Sequence, residues 1–352
     1  MSYRADSPTW GKDDRRFLLH SNGWECAEIA KAFNDLGFAV DAIWHDDTSF
    51  RSHRRYDSVF DIHRNLVRYS SDDSLKIMHI TGSHPRFSSQ AEHRRLKDLL
   101  GRRGLKLSAR RAMSESDISV FDSNLAAADR ISLIGNGITR STFQEDVRYR
   151  MRLINPTGSF LSTYRPTDVM PRNREFLWFN GYGAIHKGLD LVLEVFSKNP
   201  KFTLHVVGEY ERELDFVRAY RKELYDSPNI VSHGYVYPSD RQFQDIARNV
   251  VAFISPSCSE GMSTSAITCM QYGLVPILSE ECGIDIEEGM GLLLGACTLD
   301  QIQTAVDSVL TMNDGQLQSL MRRSQAHSTE FYSREKFSRE IRVFLSEALN
   351  AR

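Results

Sequence analysis

The stretch from Val250 to Ile277 reads VVAFISPSCSEGMSTSAITCMQYGLVPI, and its reading decides the fold. Val250 to Ile254 is a short apolar run rich in β-branched and aromatic residues, as in a buried strand. Ser255 to Gly261 is a polar loop broken by Pro256 and Gly261. Ser263 to Tyr272 reads as a helix, with Ser263, Thr264 and Ser265 as cap residues and Gly273 as its stop. A second apolar run follows from Leu274 to Leu278. Strand, loop, helix and strand make a βαβ unit of a parallel sheet. Ligands of such sheets bind where loops leave the carboxyl ends of strands. Here that loop carries Glu260, a glycine, and small hydroxyl residues at a helix start. A helix N-terminus favours an anion and a carboxylate accepts from hydroxyls, so the loop suits a phosphate and a polyol held together.

Outward from this unit the same alternation recurs. Towards the C-terminus, Phe176–Phe179, Thr203–Val207, Ile230-Val231 and Gly291–Leu294 read as strands. Gly181–Gly188 is a glycine-rich loop, Leu189–Ser197 a helix, and Gln301–Met312 and Asp314–Glu330 closing helices. Ser333–Leu349 is amphipathic, with Phe337, Ile341, Phe344, Leu345 and Ala348 on one face. Towards the N-terminus, Phe17–His20, Phe38–Trp44, Val59–Ile62, Ile77–Ile80, Ile131–Ile134 and Leu153-Ile154 are strand candidates. Trp24–Asp35 has helical period. Residues 1–14 read as a flexible arm and Thr157–Arg174, with Pro166 and Pro171, as a linker. Strands separated by helix-length segments imply open parallel sheets, so the fold class is α/β with two sheet domains.

The 352 residues suffice for two such domains, and 41% hydrophobic with 26% charged content is ordinary for a globular protein. A net charge of −2 gives no global pull towards nucleic acid. The five cysteines are scattered without C-x-x-C spacing, which argues for reduced thiols, a cytoplasmic setting and no zinc knuckle. The N-terminus lacks the apolar core of a signal peptide, and no apolar run is long enough to span a bilayer.

Four motifs in order resemble the nucleotide-sugar half of glycosyltransferase family 4, which has the GT-B fold. Asn180-Gly181-Tyr182-Gly183-Ala184-Ile185-His186-Lys187-Gly188 is similar to the family's loop with a phosphate-binding lysine. Val206-Val207-Gly208 is similar to its strand end near the nucleotide. His233-Gly234-Tyr235-Val236 resembles the segment beside the base. Pro256-Ser257 through Glu260-Gly261 to Cys269-Met270-Gln271-Tyr272-Gly273 resembles the signature loop and helix. The resemblance implies two Rossmann-like parallel-sheet domains facing a central cleft. Residues 1–165 would form the acceptor-side domain and 166–332 the nucleotide-sugar domain, with helix 333–352 crossing back to the former. It also implies a retaining transfer with no bound metal and no cofactor besides the donor substrate. Two positions depart from the pattern. Thr268 stands where the family has a second acid at the ribose, and Tyr182 where it has an arginine ahead of the lysine. Lys12, Arg15 and Arg16 are candidates to replace that cation.

Under this resemblance Lys187 stabilises the departing diphosphate, Glu260 accepts from donor hydroxyls, and His84, on the loop after Ile80, lies at the donor sugar. Gly181, Tyr182, Gly183, Gly208, Tyr235, Val236, Gly261, Met262, Ser263, Ser265 and Thr268 line the nucleotide-sugar site. The backbone N–H groups of Met262 and Ser263 are donors to phosphate or sugar, and Asn22 and Gly23 line the acceptor side. His20 and His63 read as core histidines. No D-x-D marks a metal site, although Asp13-Asp14 and Asp46-Asp47 are adjacent acids. Arg94, Arg95, Lys97, Arg102, Arg103, Lys106, Arg110 and Arg111 form a basic strip interleaved with leucines. It is either a solvated helix face or a surface for anionic lipid or acceptor; without aromatic stacking residues it does not suit RNA. The expected function is transfer of a sugar from a nucleoside-diphosphate sugar to a hydroxyl acceptor: a glycan, a polysaccharide or a lipid-linked chain. A sugar-nucleotide epimerase or hydrolase on the same fold, or a weakly catalytic binding paralogue, stays open beside it.

Overall fold

The computed structural model describes residues 1–159 and 173–350. The first sheet contains β1 (Ser2–Tyr3), β2 (Ile43–Trp44), β3 (Ser58–Asp61), β4 (Leu75–Ile80), β5 (Arg130–Ile134) and β6 (Met151–Ile154), in the order β2-β1-β3-β4-β5-β6. The second contains β7 (Glu175–Asn180), β8 (Leu204–Gly208), β9 (Ile230–Gly234), β10 (Val250–Ser255), β11 (Val275–Ser279) and β12 (Leu292–Leu294), in the order β12-β11-β10-β7-β8-β9. Neighbouring strands run parallel in both sheets, as apolar runs without alternation require when helices cover both faces.

Helices α1 (Ser21–Asp35), α2 (Pro85–Arg103) and α3 (Glu115–Ala127) belong to the first sheet. Helices α4 (Leu189–Ser197), α5 (Arg241–Asn249), α6 (Thr264–Gln271), α7 (Leu299–Thr311) and α8 (Asp314–Phe331) belong to the second. α9 (Arg334–Asn350) returns from the second half to the first. Arg342 there pairs with Glu28 at 3.0 Å and with Asp35, both on α1, and Glu340 accepts from the amide of Asn155 at 2.9 Å. The apolar face read for this helix is buried: Phe337, Ile341 and Leu345 are fully enclosed. One apolar cluster runs from Phe60 and Ile77 of the first sheet to Leu177 and Phe179 of the second.

The chain start differs from its sequence reading. Residues 1–14 are not an arm. Ser2–Tyr3 lies between β2 and β3, and Phe17 sits in a 3-10 turn rather than a strand. A strand of two residues has no period to read; its identity comes from the partners at Ile43 and Asp61. Phe38–Trp44 shrinks to Ile43–Trp44 for the same reason. The proposed boundary near 165 lies outside the described residues. The start of the linker is buried: Thr157 donates its amide (2.7 Å) and hydroxyl (3.0 Å) to Glu25, and the Ser159 amide donates to Thr268 at 2.9 Å.

The basic strip joins the two halves. Arg102 on α2 bonds Asp190 at 2.7 Å and Glu194 at 2.9 Å on α4, and Arg103 bonds Glu223 at 2.7 Å. Arg110 pairs with Asp215, and Arg95 donates to the Pro256 carbonyl at 2.8 Å. The reading of the strip as a lipid-facing surface therefore fails for these four arginines: their heads meet carboxylates and a carbonyl of the other half. No helix among the described residues is long and apolar enough to cross a membrane.

Glu25 makes the linker anchor pH-sensitive. Burial is the main cause that raises its carboxyl to about 7, with the two Thr157 bonds opposing. The folded state holds its proton more tightly than the unfolded state, so this contribution is whole below about pH 4.5 and declines as pH rises towards 7. The decline is expected to reach about 3 kcal/mol at most. Glu25→Gln keeps an acceptor for Thr157 and should flatten urea-measured stability across that window; an unchanged slope would refute the assignment.

Candidate functional site

The loops that leave β7 and β10 diverge. β7 leads through α4 to β8 on one side, and β10 through α6 to β11 on the other. The gap between them is the topological switch point of the second sheet, where such sheets bind ligands. Asn180 and Ser255, at the two strand ends, are joined side chain to side chain at 3.2 Å. The β7 loop then carries Gly181 to Gly188, and the β10 loop carries Pro256 to Ser263.

These loops lock together around one ion pair. Lys187 Nζ bonds Glu260 Oε1, and Ser257 Oγ donates to the same oxygen at 2.7 Å. Both charged side chains are about nine-tenths buried. The Cys258 amide donates to the His186 carbonyl at 2.9 Å, and His186 Nε2 donates to the Ser259 carbonyl at 2.7 Å. Burial works to raise the Glu260 carboxyl, but the charges of Lys187 and then Arg111 outweigh it and hold Glu260 ionised at about 2. Burial pushes Lys187 down and Glu260 pulls it back. His186 is pushed to about 3, chiefly by burial and then by Lys187, and stays neutral.

The first half closes over this pair. Ser83 Oγ donates to the Glu260 carbonyl at 2.5 Å, Thr139 Oγ1 to the Gly261 carbonyl at 2.7 Å, and Asn136 to Asp285 at 2.7 Å. Gly261 must be glycine here, since a Cβ would sit 2.5 Å from the Ile134 carbonyl oxygen and 2.6 Å from that of Thr81. The Gly183 and Ala184 amides donate to Glu213 at 2.7 and 2.8 Å, which fixes the entry to the lysine loop.

Several residues named from the sequence sit elsewhere than expected. His84 caps α2, accepting from the Arg86 amide at 3.2 Å, while its Nε2 meets Asp122 at 2.9 Å. Both ring nitrogens are thus occupied away from Glu260, and its neighbour Ser83 makes the contact. Thr268 is fully buried; its hydroxyl donates to the Thr264 carbonyl at 2.7 Å and accepts from Ser159. It secures the start of the linker. The Ser263 amide donates to the Cys282 carbonyl at 2.9 Å and so is not free as a phosphate donor, while its hydroxyl caps α6 by accepting from the Ala266 amide and keeps its own O–H to donate. Met262 and Val236 are core residues. Gly23 lies inside α1 under Trp10, not in a turn facing the cleft, while Asn22 beside it is half-buried. Arg16 pairs with Asp14 at 2.6 Å and stacks on Trp10, away from Lys187, and Lys12 and Arg15 are exposed.

The other residues named from the sequence are placed as follows. Gly208 ends β8 with its Cα against the Asn180 carbonyl, Tyr235 is exposed at the end of β9, and Gly181, Tyr182 and Gly183 lead to Lys187. Ser265 is half-buried on the first turn of α6. Sequence reasoning missed Ser83, Thr139 and Asn136, whose roles exist only once the halves meet, and Glu213, which the fold of the second half brings to the lysine loop. Among the described residues no three His, Cys, Asp or Glu cluster to hold a metal ion.

Comparison with known proteins bears on the family and the fold. Residues 174–312 match the family described as Glycosyl transferases group 1, which bears out the resemblance read from the four motifs. The GDP-mannose:cellobiosyl-diphosphopolyprenol alpha-mannosyltransferase of Xanthomonas campestris is 29% identical over 170 residues, covering 46% of this chain and 42% of that enzyme. The sucrose-phosphate synthase of Thermosynechococcus elongatus superposes with a TM-score of 0.68 at 14% identity, covering 94% of each chain. HepE of Anabaena, solved with UDP and glucose, gives 0.64 at 12% identity over 97% of this chain and 98% of its own. These structures establish the fold as GT-B.

The buried pair has a measurable cost if broken. Lys187→Met leaves Glu260 charged and enclosed and is expected to lower stability by about 3–5 kcal/mol, whereas Lys187→Met with Glu260→Gln should recover much of that loss. Urea unfolding of the single and double variants checks this; additive losses would show that the two groups do not pair.

Proposed function

We propose that this chain, whose residues 174–312 match the group 1 glycosyltransferases, moves a sugar from a nucleoside-diphosphate sugar to a hydroxyl acceptor. The observation that carries the reading is the Lys187–Glu260 pair, enclosed at the switch point of the second sheet and covered by the first half. When the donor enters, Lys187 exchanges Glu260 for the diphosphate and stabilises the charge that develops as it departs. Glu260, released but still ionised, accepts from hydroxyls of the donor sugar. Ser83, Thr139 and Asn136 draw the halves together and exclude the water that would hydrolyse the donor.

In this reading the transfer retains anomeric configuration and uses no metal, as the family resemblance implies. The Xanthomonas relative is named for a diphosphopolyprenol acceptor, which favours a lipid-linked acceptor, a cytoplasmic site of action and a role in polysaccharide assembly. Contact with an anionic membrane would then use Arg94, Lys97 and Lys106, three of the exposed members of the basic strip.

A ligand that prefers the native state must raise the melting temperature, so one of UDP, GDP and ADP should do so. Lys187→Ala is expected to lower donor turnover by about a hundredfold or more, assayed below its own melting point. Turnover and donor binding unchanged in Lys187→Ala would overturn the site. Donor cleavage at full rate without any acceptor would instead favour a hydrolase or epimerase.

A further inference from the structure

The charge at the Lys187–Glu260 pair does not suit a diphosphate unless another cation joins it. Within Gly181–Gly188 the basic side chains are His186 and Lys187. His186 is neutral, and Lys187 is matched by Glu260. These three groups sum to zero formal charge, while a diphosphate is a multiply charged anion that needs charge-assisted donors. Tyr182, Gly181 and Gly183 bring no charge.

Arg111 changes this balance. Its stem lies on the lysine loop: a Cβ at Gly183 would stand 2.9 Å from Arg111 Cγ and 3.1 Å from Cδ. Gly183 has a φ of 102°, which glycine adopts without strain, so the loop is shaped to receive the stem. The segment that presents Arg111 is fixed at both ends of this contact. The buried Glu92 carboxylate accepts from the amides of Arg110 at 2.8 Å and Arg111 at 2.9 Å. Arg110 pairs with Asp215 and lies 3.7 Å from Glu213, the residue that holds the Gly183 and Ala184 amides. Adjacent arginines therefore divide the work: Arg110 ties the segment to the loop, and Arg111 lies over it.

The contrast with its neighbours is informative. Arg95, Arg102, Arg103 and Arg110 each bond an acceptor of the second half. The Arg111 guanidinium has no hydrogen-bond or ion-pair partner among the described residues, although its charge acts on both Glu260 and Lys187. A guanidinium held by its backbone and stem, with its fork open beside a lysine, is suited to two phosphate oxygens.

We propose that Arg111 is the second cation of the donor's diphosphate site, supplied by the first half of the chain across the interface to the loop that carries Lys187. This rests on the reading of the chain as a nucleotide-sugar transferase. It makes the charge complement of the site complete only when the two halves meet, and it assigns Arg111 the duty that Tyr182 cannot perform.

The test compares wild type, Arg111→Ala and Arg111→Lys by calorimetric titration. The ligands are the nucleoside diphosphate that stabilises the wild type, chosen among UDP, GDP and ADP, and the corresponding nucleoside. Arg111→Ala should weaken the diphosphate at least about tenfold and the nucleoside by less than about twofold, with Arg111→Lys between. Equal weakening of both ligands would mean a loosened interface and would overturn the proposal. Unchanged diphosphate affinity in Arg111→Ala would also overturn it while leaving the transferase reading intact. A wild type that binds none of the three diphosphates would remove both.

Discussion

A lysine and a glutamate cannot be enclosed together without each other, and much of this molecule is arranged around that constraint. Desolvating either charge alone is costly, so Lys187 and Glu260 must arrive as a pair. They come from loops of different strands, separated by 73 positions, and can meet only where β7 and β10 lie side by side. The Asn180–Ser255 bond and the His186–Ser259 bond fix that juxtaposition. Gly261 then allows the first half to press its strand ends onto the pair. Sheet order, loop chemistry and domain contact converge on this one pair.

That requirement explains why the site can serve a charged donor. A buried ion pair contributes little net stability compared with apolar packing, yet it leaves two poised charges in a dry place. The lysine needs no reorganisation of water to receive a phosphate; it changes one anion for another. His186 beside it is pushed low, chiefly by burial, and stays neutral, so it adds no second positive charge next to Lys187.

Legibility differed between the halves for physical reasons. In the second half, strands such as Val250–Ser255 are fully buried, contiguous and punctuated by glycine and proline, so composition alone marks them. Lys187 and Glu260 were readable because each ends a distinctive loop. In the first half β1 and β2 have two residues each, too short for any period, and only tertiary pairing makes them strands. Thr268 was identified as a departure from the family pattern, but its bond to Ser159 depends on where the linker runs. The basic strip was visible as charge; that it faces Asp190, Glu194, Glu213, Asp215 and Glu223 was not, because those acids lie about a hundred residues away in sequence.

The facing of that strip has a bearing on how such proteins diversify. GT-B halves look like cassettes, one for the donor and one for the acceptor, open to recombination. Here the cassettes are keyed. Asp190, Glu194 and Glu213 are each buried against arginines of the other half. A chimaera with a foreign first half would strand these carboxylates in a low-dielectric seam. Exchange of one half would therefore call for matching exchange on the other side of the seam.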